Sequence, residues 1–448
     1  MRLSRAAELV NGTLSGRDDD FTGCGIDSRT IQQGQLFVAI HGERFDGHDF
    51  IASAAAKGAA AALVDRDDTD PAIPLIRVDN TRTQLAVLAG QWRDNFSIPL
   101  IAVTGSNGKT TVKEMLHSIL SVNSEVLSTQ GNLNNDLGVP LTLFRLSERH
   151  RYAVIEMGAN QPQEIQRLCE IAKPTVAVIT LCAPAHLDGF GSVAGVAAAK
   201  AEIYAGLNAD DTAVINADDD FYHYWCEQAG QARQISFGID GQADISARDV
   251  VFDPQQGVCN FTLVAGAEQI PIKLPLPGQH NVSNALAAAA CCRAINIPPQ
   301  QIKQGLEAIQ PVSGRLQILP GKQQSRVFDD TYNANPVSLR AAMQVVSRYP
   351  GEKYLVLGDM AELGQQAAEL HFAAGQQAGE MGFSKLFAVG VLAAEAVRGF
   401  GEGAIFYREK ADLIDDLSSM LAPDLNVLVK GSRTMAMDTV VAALSEVQ

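Results

Sequence analysis

The chain has 448 residues, 46% of them apolar and 19% charged, with 51 acidic against 35 basic side chains and a formal net charge of −16. That length exceeds one compact core and predicts roughly two to four domains, while the apolar share excludes global disorder. The acidic excess argues against a nucleic-acid or anionic-membrane partner, because either demands a basic face.

Seven cysteines, Cys24, Cys169, Cys182, Cys226, Cys259, Cys291 and Cys292, form no Cys-x-x-Cys pair and fit a reducing compartment. The adjacent Cys291 and Cys292 sit in an Ala-rich segment and read as small core side chains. Charge breaks the N-terminal apolar pattern too early for a signal peptide. The longest apolar run, 285–292, falls far short of the ~20 residues that span a bilayer. A cytoplasmic protein is expected.

Residues 1–82 mix short apolar runs at 34–40, 59–64 and 75–78 with an Ala-rich pattern at 50–56, which predicts a small α/β domain. A turn cluster occupies 70–74, and 83–97 reads as a connecting helix. From 98 onward, β-branched runs at 100–103, 152–157, 175–181 and 212–216 alternate with helical patterns, the mark of βαβ units around a parallel sheet. Beyond Phe237, runs at 257–264 and 269–274 predict an antiparallel flap, followed by a helix over 280–295, and this central domain ends near 313. Residues 314–448 restart the alternation, with strands at 326–330, 354–358, 385–389, 404–407 and 426–430, and predict a Rossmann-like doubly wound sheet.

The sharpest chemical signal is Thr-Gly-Ser-Asn-Gly-Lys-Thr-Thr at 104–111, between an apolar strand and an amphipathic helix. Gly105, Ser106, Asn107 and Gly108 offer backbone N–H groups to phosphate oxygens, Lys109 a point charge, and Thr110 and Thr111 hydroxyls, Thr110 being suited to Mg²⁺. The usual pattern places a glycine where this chain has Val103, so the loop is a shortened variant; the alternative is a surface turn that contains Gly-Lys-Thr by chance. Val112, Met115, Leu116, Ile119 and Leu120 share one helical face, which favours the phosphate cradle and ATP.

Three further residues fall at the carboxyl edge of the expected sheet, where open α/β sheets bind ligands. Glu156 ends one strand and can reach a metal beside the loop; the alternative is a solvated strand-end acid. His186 lies in the loop after the next strand, where a lone histidine is more often a hydrogen-bonded surface residue. Lys200 is the one cation of a small-residue helix, and reads either as a snorkelling lysine or as a buried amine able to act as a base or react with carbon dioxide. Polar clusters at 277–284, including Asn281, and at 328–336 complete the set; helix capping is the alternative for the first.

These residues together resemble the ATP-dependent Mur ligases of peptidoglycan synthesis. The resemblance runs along the whole chain and is carried by Asp27-Ser28-Arg29, the run 42–48, the loop 104–111, Gly-Asn-Leu-Asn-Asn-Asp-Leu-Gly at 131–138, Glu156-Met-Gly-Ala, Ala-His-Leu-Asp-Gly-Phe-Gly-Ser at 185–192, the run 329–336 and Leu-Gly-Asp-Met-Ala-Glu-Leu-Gly at 357–364. It implies three domains: a small UDP-binding α/β domain, a central P-loop-type ATPase domain and a Rossmann-like C-terminal domain. It implies amide formation through an acyl phosphate, in the subgroup that adds D-Ala-D-Ala to UDP-MurNAc-tripeptide. By the same analogy Lys109 contacts the β/γ-phosphates, and Thr110, Glu156, His186 and a carbamylated Lys200 surround two Mg²⁺ ions. Asn281, Arg315 and Asp330 match contacts to adenine, phosphate and ribose. Ser28, Arg29, Glu43 and Arg44 match uridine-diphosphate contacts, while Asn134 and Asn135 lie on the path of the sugar and peptide. A monomer is expected.

Rival readings are the members that add the third amino acid and folylpolyglutamate synthase. Among the first, those that add diaminopimelate usually carry Asp-Asn-Pro-Arg in the last domain, absent here after residue 320, and the second lacks this first domain. A simple P-loop phosphotransferase and a nucleotide-binding scaffold remain as readings from other classes.

Overall fold

The computed structural model describes residues 1–42, 44–66, 73–240 and 242–446. Glu43 and most of the turn cluster at 70–74 therefore lie outside the described residues. Among those described, the strands form three sheets, one to each part of a three-domain α/β architecture.

The first sheet runs in the order Thr13–Ser15, Leu75–Arg77, Ala61–Val64, Leu36–Val38, Cys24–Gly25. Its alternating side chains feed two cores: Leu36, Val38 and Leu63 face the helix Thr81–Arg93, while Phe37, Ala62 and Val64 face the helix Ile51–Ala56. The helix Thr81–Arg93 starts where the Asn80 side chain accepts from Thr83 N at 2.8 Å. Leu85, Leu88 and Ala89 bury its inner face. Arg93 Nε donates to Ala172 O at 3.1 Å and Trp92 Nε1 to Leu146 O at 3.2 Å, which fastens this helix to the central part. One apolar core is thus continuous across the first and central sheets.

The central sheet is larger and more mixed than the sequence predicts. Its order is Glu268–Leu274, Val258–Ala265, Ile245–Asp253, Arg233–Gly238, Thr212–Asn216, Val176–Ile179, Leu100–Thr104, His150–Glu156, Glu125–Ser128. The antiparallel flap is real, but it continues the same sheet, because Ile245–Asp253 pairs in parallel with Arg233–Gly238 and antiparallel with Val258–Ala265. The strand Glu125–Ser128 went unpredicted because it is short and starts with an exposed acid, with no β-branched run to mark it. Leu100–Thr104 sits between His150–Glu156 and Val176–Ile179. The chain reverses direction across the sheet there, so loops following all three strands open at one edge.

The third sheet has the order Gln317–Pro320, Arg326–Asp330, Asn426–Lys430, Lys353–Gly358, Lys385–Val389, Ala404–Tyr407. Five strands match the expected doubly wound core, and the extra antiparallel edge strand Gln317–Pro320 pairs with Arg326–Asp330. Phe328, Leu355, Leu357 and Leu428 enter one face's core, and Val327, Val356, Val427 and Val429 enter the other, as expected of strands covered by helices on both sides.

Candidate active site

The phosphate loop is built by forcing the chain through two backbone conformations that side chains resist. Gly105 has φ +148°, and a Cβ there would sit 1.8 Å from Thr180 Oγ1; Gly108 has φ +82°, and a Cβ there would sit 2.4 Å from Asn284 Oδ1. Both positions therefore demand glycine. Neighbouring strands hold the loop: Thr104 Oγ1 donates to Met157 O at 2.8 Å, Ser106 Oγ to Ala183 O at 3.1 Å, and Thr180 Oγ1 to Asn107 O at 2.5 Å. The helix Lys109–Leu120 begins at Gly108 and buries Val112, Met115, Leu116, Ile119 and Leu120, as the periodicity predicts.

Lys109 opens that helix and folds back to donate to Gly105 O at 2.7 Å. Burial lowers its pKa, Glu156 opposes the shift and Arg315 adds to it. Glu156 is buried at the end of its strand, and its Oε1 accepts from Asn134 Nδ2 at 2.8 Å. Its Oε2 is buried with no protein partner. An anionic oxygen left unpaired in the interior marks a place for a cation.

Lys200 lies in the helix Val193–Ala201, capped where Gly195 N donates to Ser192 Oγ at 3.1 Å. At 3% exposure it is no snorkelling lysine. Burial, and then repulsion from Lys109, lowers its pKa to about 7. His186 heads the short helix Leu187–Phe190 with left-handed backbone, φ +53°. Burial lowers the His186 pKa; Lys109 and Lys200 push the same way and Glu362 opposes them. Lys109 thus links the four groups singled out in the sequence: it feels the charge of Glu156, and it acts on both His186 and Lys200, of which Lys200 also acts on His186.

The last sheet contributes from the other side. Arg315 Nη2 donates to Thr110 Oγ1 at 3.3 Å, and its guanidinium lies 4.0 Å over the Tyr332 ring. Asn107 and Asn335 exchange amide hydrogen bonds of 3.3 and 2.8 Å. Asp330 is buried, accepts from Leu316 N at 3.1 Å and pairs with the buried Lys430. Asn281 is also buried, donating to Pro277 O at 2.8 Å and accepting from Asn284 Nδ2 at 3.2 Å. The neighbouring His280 is pushed down to about 4 by burial, with Asp330 opposing and Lys430 adding to the shift. Thr111 is half-buried in the first turn after the loop.

Of the candidates for the UDP-substrate end, all but Asn134 lack a contact with this edge among the described residues. Ser28 is buried in the first domain, and Arg29 is exposed, its Nε and Nη2 donating to Asp27 at 2.9 and 2.7 Å. The Arg29 side chain and backbone amide together lower the Asp27 pKa to about 2. Arg44 is exposed. Asn134 turns its carboxamide onto Glu156, which places it inside the candidate metal site, whereas Asn135 Oδ1 accepts from Leu137 N and Gly138 N at 3.3 and 2.9 Å. Arg82 of the connecting helix meets Asp136 in this same loop, Nη2 to Oδ1 at 2.8 Å.

Sequence reading missed Thr180 and Lys430, and reached Tyr332 and Glu362 only as members of the runs 328–336 and 357–364. A threonine ending a β-branched run next to the switch point was a readable signal for Thr180. Lys430, buried at 1% exposure, ends the strand Asn426–Lys430, and no local pattern marks its pairing with Asp330 a hundred residues away.

Comparison with known proteins identifies the family. The Mur ligase middle-domain model matches residues 103–292, the Mur ligase glutamate ligase domain model 314–433, and the Mur ligase family catalytic-domain model 20–93. A UDP-N-acetylmuramoyl-tripeptide--D-alanyl-D-alanine ligase of Escherichia coli K12 is 40% identical over 99% of this chain and 98% of its own length. The crystal structure of MurF from Acinetobacter baumannii superposes with a TM-score of 0.91 at 36% identity, covering 98% of this chain and 97% of that one. MurF from Thermotoga maritima, solved in complex with ADP, gives a TM-score of 0.84 at 28% identity over 94% of this chain and 96% of its own. Matched by three of its models and by a relative this similar from end to end, the chain belongs to the Mur ligase family.

Proposed function

We propose that this protein is an ATP-dependent ligase that joins D-Ala-D-Ala to UDP-MurNAc-tripeptide through an acyl phosphate, releasing ADP and phosphate. The observation that carries the reading is the convergence of Lys109, Glu156, His186 and Lys200 beside a phosphate loop, with Arg315 supplied from the facing sheet.

A carboxylate and an amine do not condense in water without activation. A carboxylate oxygen of the tripeptide attacks the γ-phosphorus of ATP, and the bond to ADP breaks. The amine of D-Ala-D-Ala then attacks the acyl carbon, loses a proton, and phosphate leaves from the tetrahedral intermediate. The chain's work is positioning and charge neutralisation. Amides of the loop and the Lys109 ammonium hold the β/γ-phosphates, and Arg315 approaches them from the last domain. Asn281 and Asp330 serve the nucleoside, while Ser28, Arg29, Arg44 and Asn135 serve the UDP end.

The residues present fit Mg²⁺. Glu156 Oε2 is an orphaned buried oxygen, and Thr110 offers a hydroxyl. Among the described residues no three His, Cys, Asp or Glu side chains gather to hold a metal by themselves. That suits Mg²⁺, which takes one or two protein oxygens and completes its shell with phosphate and water. Thr110 and Glu156 would hold one ion, and Glu156, His186 and a carbamylated Lys200 a second. Bound there, Mg²⁺ neutralises charge developing on the transferring phosphoryl group. Asn134 fixes the Glu156 carboxylate, and the packed surroundings of Lys200 keep its amine neutral enough to take up carbon dioxide.

On this reading residues 1–82 with the connecting segment 83–97 hold the UDP end, 98–313 hold ATP, and 314–448 close over the reaction and exclude water. The chain acts as a monomer in the cytoplasm. Support comes from a candidate site assembled within one chain and from seven free cysteines. None of the described helices is long and apolar enough to cross a membrane. The test is a reconstituted reaction analysed by mass spectrometry. Expected is a product heavier than UDP-MurNAc-tripeptide by D-Ala-D-Ala less one water, formed one for one with phosphate. ATP turnover indifferent to either substrate would sink the proposal.

A further inference from the structure

Besides Arg315–Thr110 and Asn107–Asn335, a further contact joins the two parts of the chain that the ligase reading requires to close on each other. His186 stands at the carboxyl edge of the central sheet, and Glu362 in the loop after the strand Lys353–Gly358 of the last sheet. His186 Nδ1 meets Glu362 Oε2. The backbone reinforces the meeting, because Leu187 N donates to Glu362 O at 3.0 Å. A Cβ on Gly364, two residues on, would stand 3.3 Å from Asp188 Oδ1. Both partners hold left-handed backbone, φ +53° at His186 and +62° at Glu362, a conformation uncommon outside glycine. The side-chain pair, the backbone hydrogen bond and the close approach of Gly364 to Asp188 together make a built contact and not a chance surface pair.

An imidazole has two nitrogens, and a carboxylate on one selects the tautomer and ring orientation presented by the other. Nδ1 is ion-paired with Glu362 but makes no aligned hydrogen bond, so the carboxylate is placed to take that nitrogen and leave Nε2 for the reaction side.

We infer that Glu362 is a positioning residue. Carried in by closure of the last domain, it takes His186 Nδ1 and orients Nε2 for the phosphoryl-transfer centre, so that the His186 half of the site is complete only in the closed arrangement. The inference rests on the ligase reading and adds to it a residue that makes chemistry conditional on closure. A purely structural surface pair would contribute little, since exposed ion pairs are worth next to nothing, and it would leave metal binding untouched.

The test compares wild type with Glu362→Ala, Glu362→Gln, His186→Ala and the His186→Ala/Glu362→Ala double variant in the full-length enzyme. Mn²⁺ binding is titrated by electron paramagnetic resonance with a non-hydrolysable ATP analogue present, alongside steady-state kinetics. Expected for Glu362→Ala is a loss of about 10- to 100-fold in both the weaker Mn²⁺ affinity and kcat, with KM for ATP held within about twofold. Glu362→Gln, which keeps shape and hydrogen bonding, falls in between. In the His186→Ala background Glu362→Ala should bring no further loss, because the two act as one unit. Mn²⁺ affinity and kcat unchanged in Glu362→Ala, or an equal loss in both backgrounds, overturns the inference. The outcomes are separable: a wild-type enzyme that makes no amide product defeats the ligase reading, whereas an active wild type matched by Glu362→Ala defeats this inference alone.

Discussion

Lys200 ends a helix of small residues with its ammonium sealed from water and Lys109 nearby, and its pKa falls from the ordinary 10.5 to about 7. At pH 7 a lysine titrating at 10.5 is neutral in roughly one molecule in 3,000, whereas one titrating at about 7 is neutral in about half. Burial therefore raises the neutral amine about a thousandfold, and only that form adds to carbon dioxide. A carbamate then replaces a stranded cation with an anion that faces Lys109. Carbamylation should rise as pH increases through about 7 and fade below it. It is read directly by carbon-13 NMR of enzyme equilibrated with labelled bicarbonate. Lys200→Ala should lose about 100-fold or more in kcat, and a small carboxylic acid should restore part of it. Stability follows the same titration. Between about 7 and 10.5 the unfolded chain holds a proton that the uncarbamylated folded chain lacks, so raising pH across that window stabilises the fold. A Lys200 amine that titrates near 10.5 and takes up no label, or full activity in unrescued Lys200→Ala, would refute the reasoning.

Other substitutions probe separate parts of the site. Glu156→Gln keeps the side-chain shape beside Asn134 but removes the charge beneath the phosphate loop, and should cut kcat by about 100-fold or more with an unchanged melting temperature. Gly105→Ala places a Cβ 1.8 Å from Thr180 Oγ1 at a φ of +148°; calorimetry should show ADP affinity lowered at least about tenfold. Arg315→Lys cannot reach Thr110 and stack on Tyr332 together, so kcat should fall about tenfold while KM for ATP moves little. Asn335→Ala removes the cap of the helix Pro336–Val346 and the amide pair with Asn107, and should cost about 1 kcal/mol of stability in denaturant unfolding.

Much of the central site was legible because its pieces lie on regular elements. The strand Leu100–Thr104, the two glycines and the apolar face of the helix Lys109–Leu120 are each local patterns with one physical reading. Glu156 and His186 followed from the sheet-edge rule. What was not legible depends on the meeting of distant segments. Nothing near residue 362 says that its carboxylate will meet His186, and nothing near Asn335 says that it will pair with Asn107 from 228 residues away. Asn134 was placed on the path of the sugar and peptide by the family resemblance; its hydrogen bond to Glu156 is visible only in three dimensions. The strand Gln317–Pro320 escaped because an edge position and a terminal proline weaken the apolar alternation.

The central claim is that the loop, Glu156, His186 and Lys200 together activate a carboxylate. Oxygen-18 placed in the terminal carboxylate of UDP-MurNAc-tripeptide tests it most directly. Attack of that carboxylate on the γ-phosphorus and later departure of phosphate must carry one labelled oxygen into the released phosphate for every amide formed. Phosphate that carries one label, produced only when D-Ala-D-Ala is also present, is the expected result. Amide formed with unlabelled phosphate would contradict the account.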